Sequence, residues 1–301
     1  MAVRARASRA WAAWRTAANH RIRGAVGLTQ DPPDRCDDPD LSYQRVDAVA
    51  RLVHGDLASM LVGGVGSLFL EMLHPYSMAG VADHSRYRED TLGRVLQTAN
   101  FIGVTTYGER RTALATIERV RAIHEAVRGV ADDGAPYVAS DPHLLEWVHV
   151  AGTYMFLRAY EEFGARRLRP PERDEYVNDQ VQVARDLGVL DPPTTYAELR
   201  DRLERFRPEL RLSADGVVAR DFLAAGVPGS SLQRAAYHVI VESSYSLLPW
   251  WAPELLGVAA RPRWRRVVVR PTMRLLSRAI RAVVPPAPQV TSPSPPSTTR
   301  T

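Results

Sequence analysis

The stretch DLASMLVGGVGSLFLEML, residues 56–73, does most to decide the fold. Its 14 consecutive uncharged residues after Asp56 indicate a buried helix, since a membrane span needs about 20 apolar residues. Asp56 is suited to cap the start of this helix, and His74-Pro75 predicts its end. The stretch also contains three glycines, Gly63, Gly64 and Gly66. Glycine weakens an isolated helix, so we expect these positions to let another helix, or a flat ligand, approach the backbone closely.

Helical periodicity continues along most of the remaining chain. We predict helices over residues 89–100, 108–128, 141–163, 170–188, 195–205 and 231–247. The helix at 141–163 opens with Asp141 at the cap and Pro142 at the first helical position. β-branched runs are few, chiefly 266–270. The predicted fold class is therefore all-α, with a single large multi-helix domain.

The two ends of the chain differ from this domain. Residues 1–40 read as a basic amphipathic helix followed by an acidic, turn-rich linker, and the domain is expected over 41–284. The domain ends with a basic amphipathic helix after Pro271, a pattern that serves either docking on the domain or binding to a membrane surface. Residues 285–301 are rich in proline, serine and threonine and should be a disordered tail.

Composition excludes several classes of function. All 39 basic residues are arginine, so no lysine can act as a Schiff-base former, general base or metal ligand. The net charge of +5 is spread along the chain without a nucleic-acid motif, so we expect no nucleic-acid partner. Cys36 is the only cysteine, which excludes a disulfide framework. The N-terminus lacks the apolar core of a secretory signal, and we expect a cytoplasmic location, with peripheral contact at the inner face of the membrane.

Five of the eight histidines fall within residues 71–149. His124 follows Ala113, Ile117 and Val120 at helical spacing, which places it on the apolar stripe of its helix. His149 lies similarly on the helix at 141–163. Each is either a core histidine whose ring bonds a carbonyl, or an axial ligand that presents a neutral imidazole to a cofactor iron.

Other polar residues in the same region are weaker candidates. His84 is expected in a loop before a helix, where it could cap, bind a ligand or touch a propionate, and His143 is expected to be exposed. Arg94 and Thr98 stand at i and i+4 on one helix face. They could hold a carboxylate or orient an oxygen species, or be an exposed arginine and a threonine bonded to its own backbone. Metalloprotease, P-loop, nucleophile-elbow and dinucleotide-binding motifs do not occur in the sequence.

Several segments together resemble one known family. They are HPYSMAGVADHSRYRED (74–90), the R-x-x-Q-T segment (94–98), VTTYGERRTA (104–113), RVRAIHEAVRG (119–129), YVASDPHLLEWVHV (137–150) and LPWWAPELLGV (248–258). Their order and spacing are similar to the MpaB-type/rubber-oxygenase catalytic domain, which includes bacterial latex-clearing proteins and a fungal oxygenase of mycophenolic acid biosynthesis. The resemblance covers roughly residues 45–260.

The resemblance implies a haem b-dependent oxygenase with a helical haem pocket, acting with dioxygen on an apolar, isoprenoid-like alkene. It places the proximal iron ligand at His124, with His149 as the alternative, and the pocket pair R-x-x-x-T at Arg94 and Thr98. Latex-clearing proteins carry a lysine between that arginine and threonine, where this chain has Gln97. This departure counts against rubber cleavage as such and leaves the distal side of the iron open or water-bound. The alternative function is a haem-free helical protein acting at a membrane surface, which the two basic amphipathic ends favour.

Overall fold

Helices make up nearly all the regular structure of the described chain, which confirms the all-α prediction. The computed structural model describes residues 34–84, 91–226, 229–260 and 262–286, with the backbone alone over 91–96. The helices are α1 (Val49–His54), α2 (Leu57–Glu71), α3 (Pro75–His84), α4 (Thr91–Tyr107), α5 (Arg110–Ala126), α6 (Pro142–Phe163), α7 (Pro170–Asp179), α8 (Val181–Leu187), α9 (Tyr196–Phe206), α10 (Ala214–Ala225), α11 (Ser231–Leu247), α12 (Ala252–Leu255) and α13 (Arg270–Val283).

Three short elements complete the described structure. A 3₁₀ turn covers Arg207–Glu209, and a π-helical turn over Arg265–Val269 leads into α13. An antiparallel hairpin follows α5, with β1 (Arg128–Val130) paired to β2 (Pro136–Val138) so that Gly129 faces Tyr137. The β-branched run at 266–270 thus lies in helical turns.

The centre of the fold is the packing of α2 along α6. At Gly63 an added Cβ would lie 3.0 Å from the Cα of Phe156, so the missing side chain is what lets the two backbones approach. Gly66 faces the Met155 side chain in the same way. Two of the three glycines therefore serve a helix crossing. Gly64 points elsewhere, because an added Cβ there would meet only the edge of the Phe156 ring, at 3.8 Å.

α11 and α13 cover α2 and complete the main core, whose largest fully buried side chains include Trp147, Trp251 and Tyr160. The apolar face of α13 docks on this core through Met273 and Ile280, which favours docking over membrane insertion for that face. Burying two such side chains stabilises the fold by roughly 2 kcal/mol each.

A buried ion pair fastens α13 to the start of α2. Asp56, fully buried, caps α2 by accepting from the Ser59 backbone N–H at 3.1 Å. Its other oxygen accepts from Arg281 Nη1 at 2.9 Å, and the same nitrogen donates to the Phe163 carbonyl at 2.7 Å. The Asp56 carboxylate therefore caps α2, as predicted from the sequence, and also pairs with a guanidinium of the last helix.

Several predicted boundaries hold and others were wrong. α6 and α11 have the predicted limits, 142–163 from the Asp141-Pro142 start and 231–247. The helix predicted over 170–188 is two helices that meet at Gln180. His84 is the last residue of α3, so its assignment to a loop was wrong. α10 was not predicted.

The ends of the chain lie largely outside the described residues. This holds for the basic helix expected over 1–30 and for the tail from residue 287. The last part of the acidic linker is described and contacts the domain: Cys36 donates its backbone N–H to the Tyr107 carbonyl at 2.7 Å, and Asp37 pairs with the buried Arg51 at 3.0 Å. Among the described helices none alone has the length and hydrophobicity to cross a membrane; the pair α2 and α3, bent by 104°, meets those criteria only when taken together.

Candidate functional site

The residues predicted as a site lie on four successive helices. His84 ends α3, Arg94 and Thr98 belong to α4, His124 to α5 and His149 to α6. Thr98 and its neighbour Gln97 are exposed, whereas the side chain of Arg94 falls outside the described part. The helical spacing predicted for Arg94 and Thr98 is present, since both lie in one helix.

His124 occupies the half-buried end of its helix. Ala113 and Ile117 on the same stripe are buried, but Val120 and His124 are only partly covered. The prediction that the stripe faces the core therefore holds for the first half of α5 only. Nδ1 of His124 is nevertheless shielded from solvent.

His149 has the more enclosed imidazole nitrogen. Its Nε2 is shielded from solvent and has no hydrogen-bond partner among the described residues. Burial lowers the pKa of His149 to about 4, so the ring is neutral at pH 7. A neutral imidazole with a free lone pair is the form that binds a transition metal.

The surface beside His149 is apolar and contains two glycines. Gly152 follows one turn later, and a Cβ there would meet only Phe156, at 3.9 Å; Gly64 lies against the same ring. One stripe of α2 continues from Gly64 with apolar residues that stay half-buried, Met60, Leu61, Val65 and Leu68. We call this surface, with His149, Gly152 and Gly64, the α2/α6 face. These half-buried apolar side chains beside a shielded imidazole make the face a candidate binding surface.

His84 is tied to the hairpin. Its Nε2 lies 3.0 Å from the Arg128 carbonyl at the start of β1. The side chain joins the end of α3 to β1, which is a structural contact. The predicted roles in capping or ligand binding stay predictions.

A second group of polar residues was not predicted from the sequence. His74, His143 and Glu209 present one ligand-type atom each, and these atoms all lie within 4.8 Å of one another. His74 is buried, whereas His143, in the first turn of α6, is exposed as predicted. Because the three residues lie 69 and 66 positions apart, local spacing in the sequence gives no sign of the cluster.

An arginine-lined cavity of about 790 Å³ lies on another part of the domain. Among the described residues, six arginines line it: Arg158, Arg200, Arg263, Arg265, Arg266 and Arg270. Three of them pair with carboxylates, Arg158 with Glu161, Arg265 with Glu242 and Arg270 with Glu162. Arg200, Arg263 and Arg266 form no ion pair with the described carboxylates. With Glu204 as the acidic lining residue, the cavity carries an excess of positive charge.

In a comparison with known families, the chain matches a model described as "ER-bound oxygenase mpaB/B'/Rubber oxygenase, catalytic domain" over residues 51–282. The chain belongs to this family. The match covers about three quarters of the chain and contains every histidine considered above. Comparisons with curated proteins and with solved structures found no match. Membership in the MpaB/rubber-oxygenase family confirms the resemblance inferred from the motifs.

The residues of the α2/α6 face fit the haem that this family resemblance implies. A neutral imidazole on an apolar wall is one donor that can hold a haem iron, and the shielded Nε2 of His149 is of this kind. A flat ring system can lie close to the backbone where side chains are missing, as they are at Gly64 and Gly152. The chain has no C-x-x-C-H motif and one cysteine, so a bound haem would be held non-covalently.

Proposed function

We propose that this protein is a haem b-dependent oxygenase that oxidises or cleaves an apolar, isoprenoid-like alkene with dioxygen. Family membership supports an oxygenase. Haem dependence is supported by His149, which is neutral and whose Nε2 is shielded from solvent and has no hydrogen-bond partner among the described residues. This ring lies in an apolar face that contains two glycines. Bound haem would supply the iron at which dioxygen is activated.

Two histidines are candidates to hold the haem iron, on different grounds. The order of motifs in the family puts His124 first, about 30 residues after Arg94. The local structure supports His149, because its Nε2 is shielded from solvent and has no hydrogen-bond partner in the part of the chain that the structure describes. Burial keeps the imidazole of His149 neutral by lowering its pKa, and a neutral imidazole is the form that binds a metal.

The other residues would bind the cofactor, orient an oxygen species and exclude water from the site. We propose that Arg94 holds a carboxylate of the cofactor through its guanidinium, and that the Thr98 hydroxyl orients an oxygen species. The uncharged Gln97 between them donates and accepts hydrogen bonds without adding charge. The half-buried α2 side chains would line the path of an apolar substrate and keep water out of the site.

An absorption spectrum of the full chain, expressed with haem supply, tests the proposal. We expect a Soret band that co-purifies in proportion to protein, and a pigment that acid–acetone extraction releases. Loss of the band in His124→Ala but not His149→Ala would assign the ligand to His124, and the reverse to His149. His238→Ala removes an exposed histidine and is the matched control. A wild-type protein without a Soret band, or colour that stays on the polypeptide, would contradict the proposal.

Arg94→Ala separates haem binding from oxygen chemistry. Because the guanidinium is proposed to act beside the cofactor and not as its iron ligand, the variant should keep haem and consume dioxygen more slowly with an alkene substrate. Full oxygen consumption by Arg94→Ala would remove this residue from the proposed machinery.

A second proposed role, compatible with the first, is contact with an anionic membrane surface. The arginine-lined cavity supports it, because the segment that supplies Arg263 and Arg266 also exposes Trp264, Val267 and Val268. Trp250 at the cavity is exposed as well. In peripheral membrane proteins, arginine binds lipid phosphate groups and tryptophan inserts at the membrane–water interface.

Vesicle sedimentation tests this second role. We expect binding to vesicles with phosphatidylglycerol and not to pure phosphatidylcholine, weakening with salt. Replacing Arg200, Arg263 and Arg266 by Gln should lower the partition coefficient roughly 100-fold, at about 1 kcal/mol for each arginine. A matched triple variant at the exposed α5 residues Arg111, Arg119 and Arg121 removes the same charge. Equal losses in both triple variants would show that net charge, and not the cavity, attracts the vesicles.

A further inference from the structure

His74 is a buried polar residue that the family chemistry leaves unused. It directly precedes α3, and 2 % of its surface is exposed. Neither ring nitrogen has a hydrogen-bond partner among the described residues. The rings of Tyr76, Trp147 and Phe206 surround it with centroids 5.6–6.4 Å away. A buried imidazole without a partner costs stability, so its presence calls for an explanation.

The polar groups that His74 can reach are His143 and Glu209. Glu209 Oε2 lies 3.6 Å from His74 Nε2 and 2.8 Å from His143 Nε2. Donor atoms bound at about 2.0–2.1 Å to one tetrahedral ion lie about 3.3 Å apart. The two measured separations bracket that value. The three atoms are already within 4.8 Å of one another, and two of the side chains are exposed and free to adjust.

We propose that His74, His143 and Glu209 bind a divalent transition-metal ion, in a site separate from the α2/α6 face. Two imidazoles and one carboxylate are a ligand set used by zinc and by non-haem iron(II). Glu209, in the 3₁₀ turn, supplies the negative charge. The nearby Arg211 is paired with Asp133, which reduces its repulsion of a cation. The exposed side of the cluster leaves coordination positions open to water or a small ligand.

Calorimetric titration of the chelator-treated full chain with Zn²⁺ tests the site. We expect one saturable site per chain, and a rise in Tm on adding Zn²⁺. Glu209→Gln and His143→Ala alter exposed side chains and should leave folding intact, yet each should weaken binding at least about 100-fold, beyond the usual effect of losing an outer-shell partner. His74→Ala should do the same if it folds.

Controls distinguish the cluster from other sites. His238→Ala removes an exposed histidine on α11 and should bind Zn²⁺ as the wild type does. The absence of saturable uptake in wild-type protein, or unchanged affinity in both Glu209→Gln and His143→Ala, would overturn the inference and leave a simple His143–Glu209 hydrogen bond. Because the readout is zinc uptake, the result is independent of whether haem binds elsewhere.

Discussion

Gly63→Ala should destabilise the protein, whereas Gly64→Ala, one residue along, should stabilise it. A Cβ at Gly63 would meet Phe156 Cα at 3.0 Å and Cδ1 at 2.7 Å, and the backbone of α6 cannot move away cheaply. Such overpacking costs up to about 3 kcal/mol, against a gain of about 1 kcal/mol in helix propensity. The net loss in free energy of unfolding is about 2 kcal/mol.

In the haem-free protein Gly64→Ala gains the same propensity without a clash, since its Cβ would lie 3.8 Å from the Phe156 ring. It should add about 1 kcal/mol, so the two variants should differ by about 3 kcal/mol. Urea unfolding followed by circular dichroism at 222 nm measures this difference. In a thermal scan it corresponds to roughly 6–12 °C, at about 2–4 °C for each kcal/mol in a chain of this size. Equal shifts in one direction would refute the claim that Gly63 sets the distance between α2 and α6.

Three further outcomes are expected. Arg281→Ala should cost about 3 kcal/mol in urea unfolding because it leaves the buried Asp56 charge without its cation, whereas the exposed Arg278→Ala should change stability by less than about 0.5 kcal/mol. Burial lowers the pKa of His54 to about 3, below the value of about 6.5 in the unfolded chain. The contribution of His54 to stability is therefore full above pH 6.5 and falls by about 3 kcal/mol towards pH 4, because only the unfolded chain binds the proton. His54→Gln should flatten this part of the dependence of stability on pH. A chain shortened to residues 40–284 should keep its helicity and solubility, and loss of either would show that the domain boundary is misplaced.

The sequence predicted best those helices whose ends carry local signals. α6 has an aspartate cap followed by proline, and α11 follows Ser230, whose side chain and that of Gln233 form a capping box. α10 carried signals too, Ser213 at its cap and Gly226 at its end, and was overlooked. α3 was missed for a physical reason: it begins at a proline, contains Gly80 and has a weakly patterned surface, so tertiary contacts decide it.

For the candidate site too, the sequence predicted the features that have local signals and not those that depend on packing. The apolar faces that carry His124 and His149 follow from helical spacing, which the sequence displays. How deeply each imidazole is enclosed depends on the neighbouring helices, and so could not be predicted. The cluster of His74, His143 and Glu209 depends entirely on the packing of the start of α3, the first turn of α6 and the 3₁₀ turn, and no local spacing predicts it.

The ion pair between Asp56 and Arg281 also determines when α2 can be fully buried during synthesis of the chain. The two residues are 225 positions apart. At roughly 5–20 residues per second, the ribosome adds Arg281 roughly 10–45 s after Asp56. Until then the Asp56 carboxylate at the start of α2 has no cation to pair with when it is buried, and so α2 cannot reach its final buried position. Completion of the central helix pair therefore waits for the last helix, so a nascent chain stalled before α13 should remain a client for chaperones.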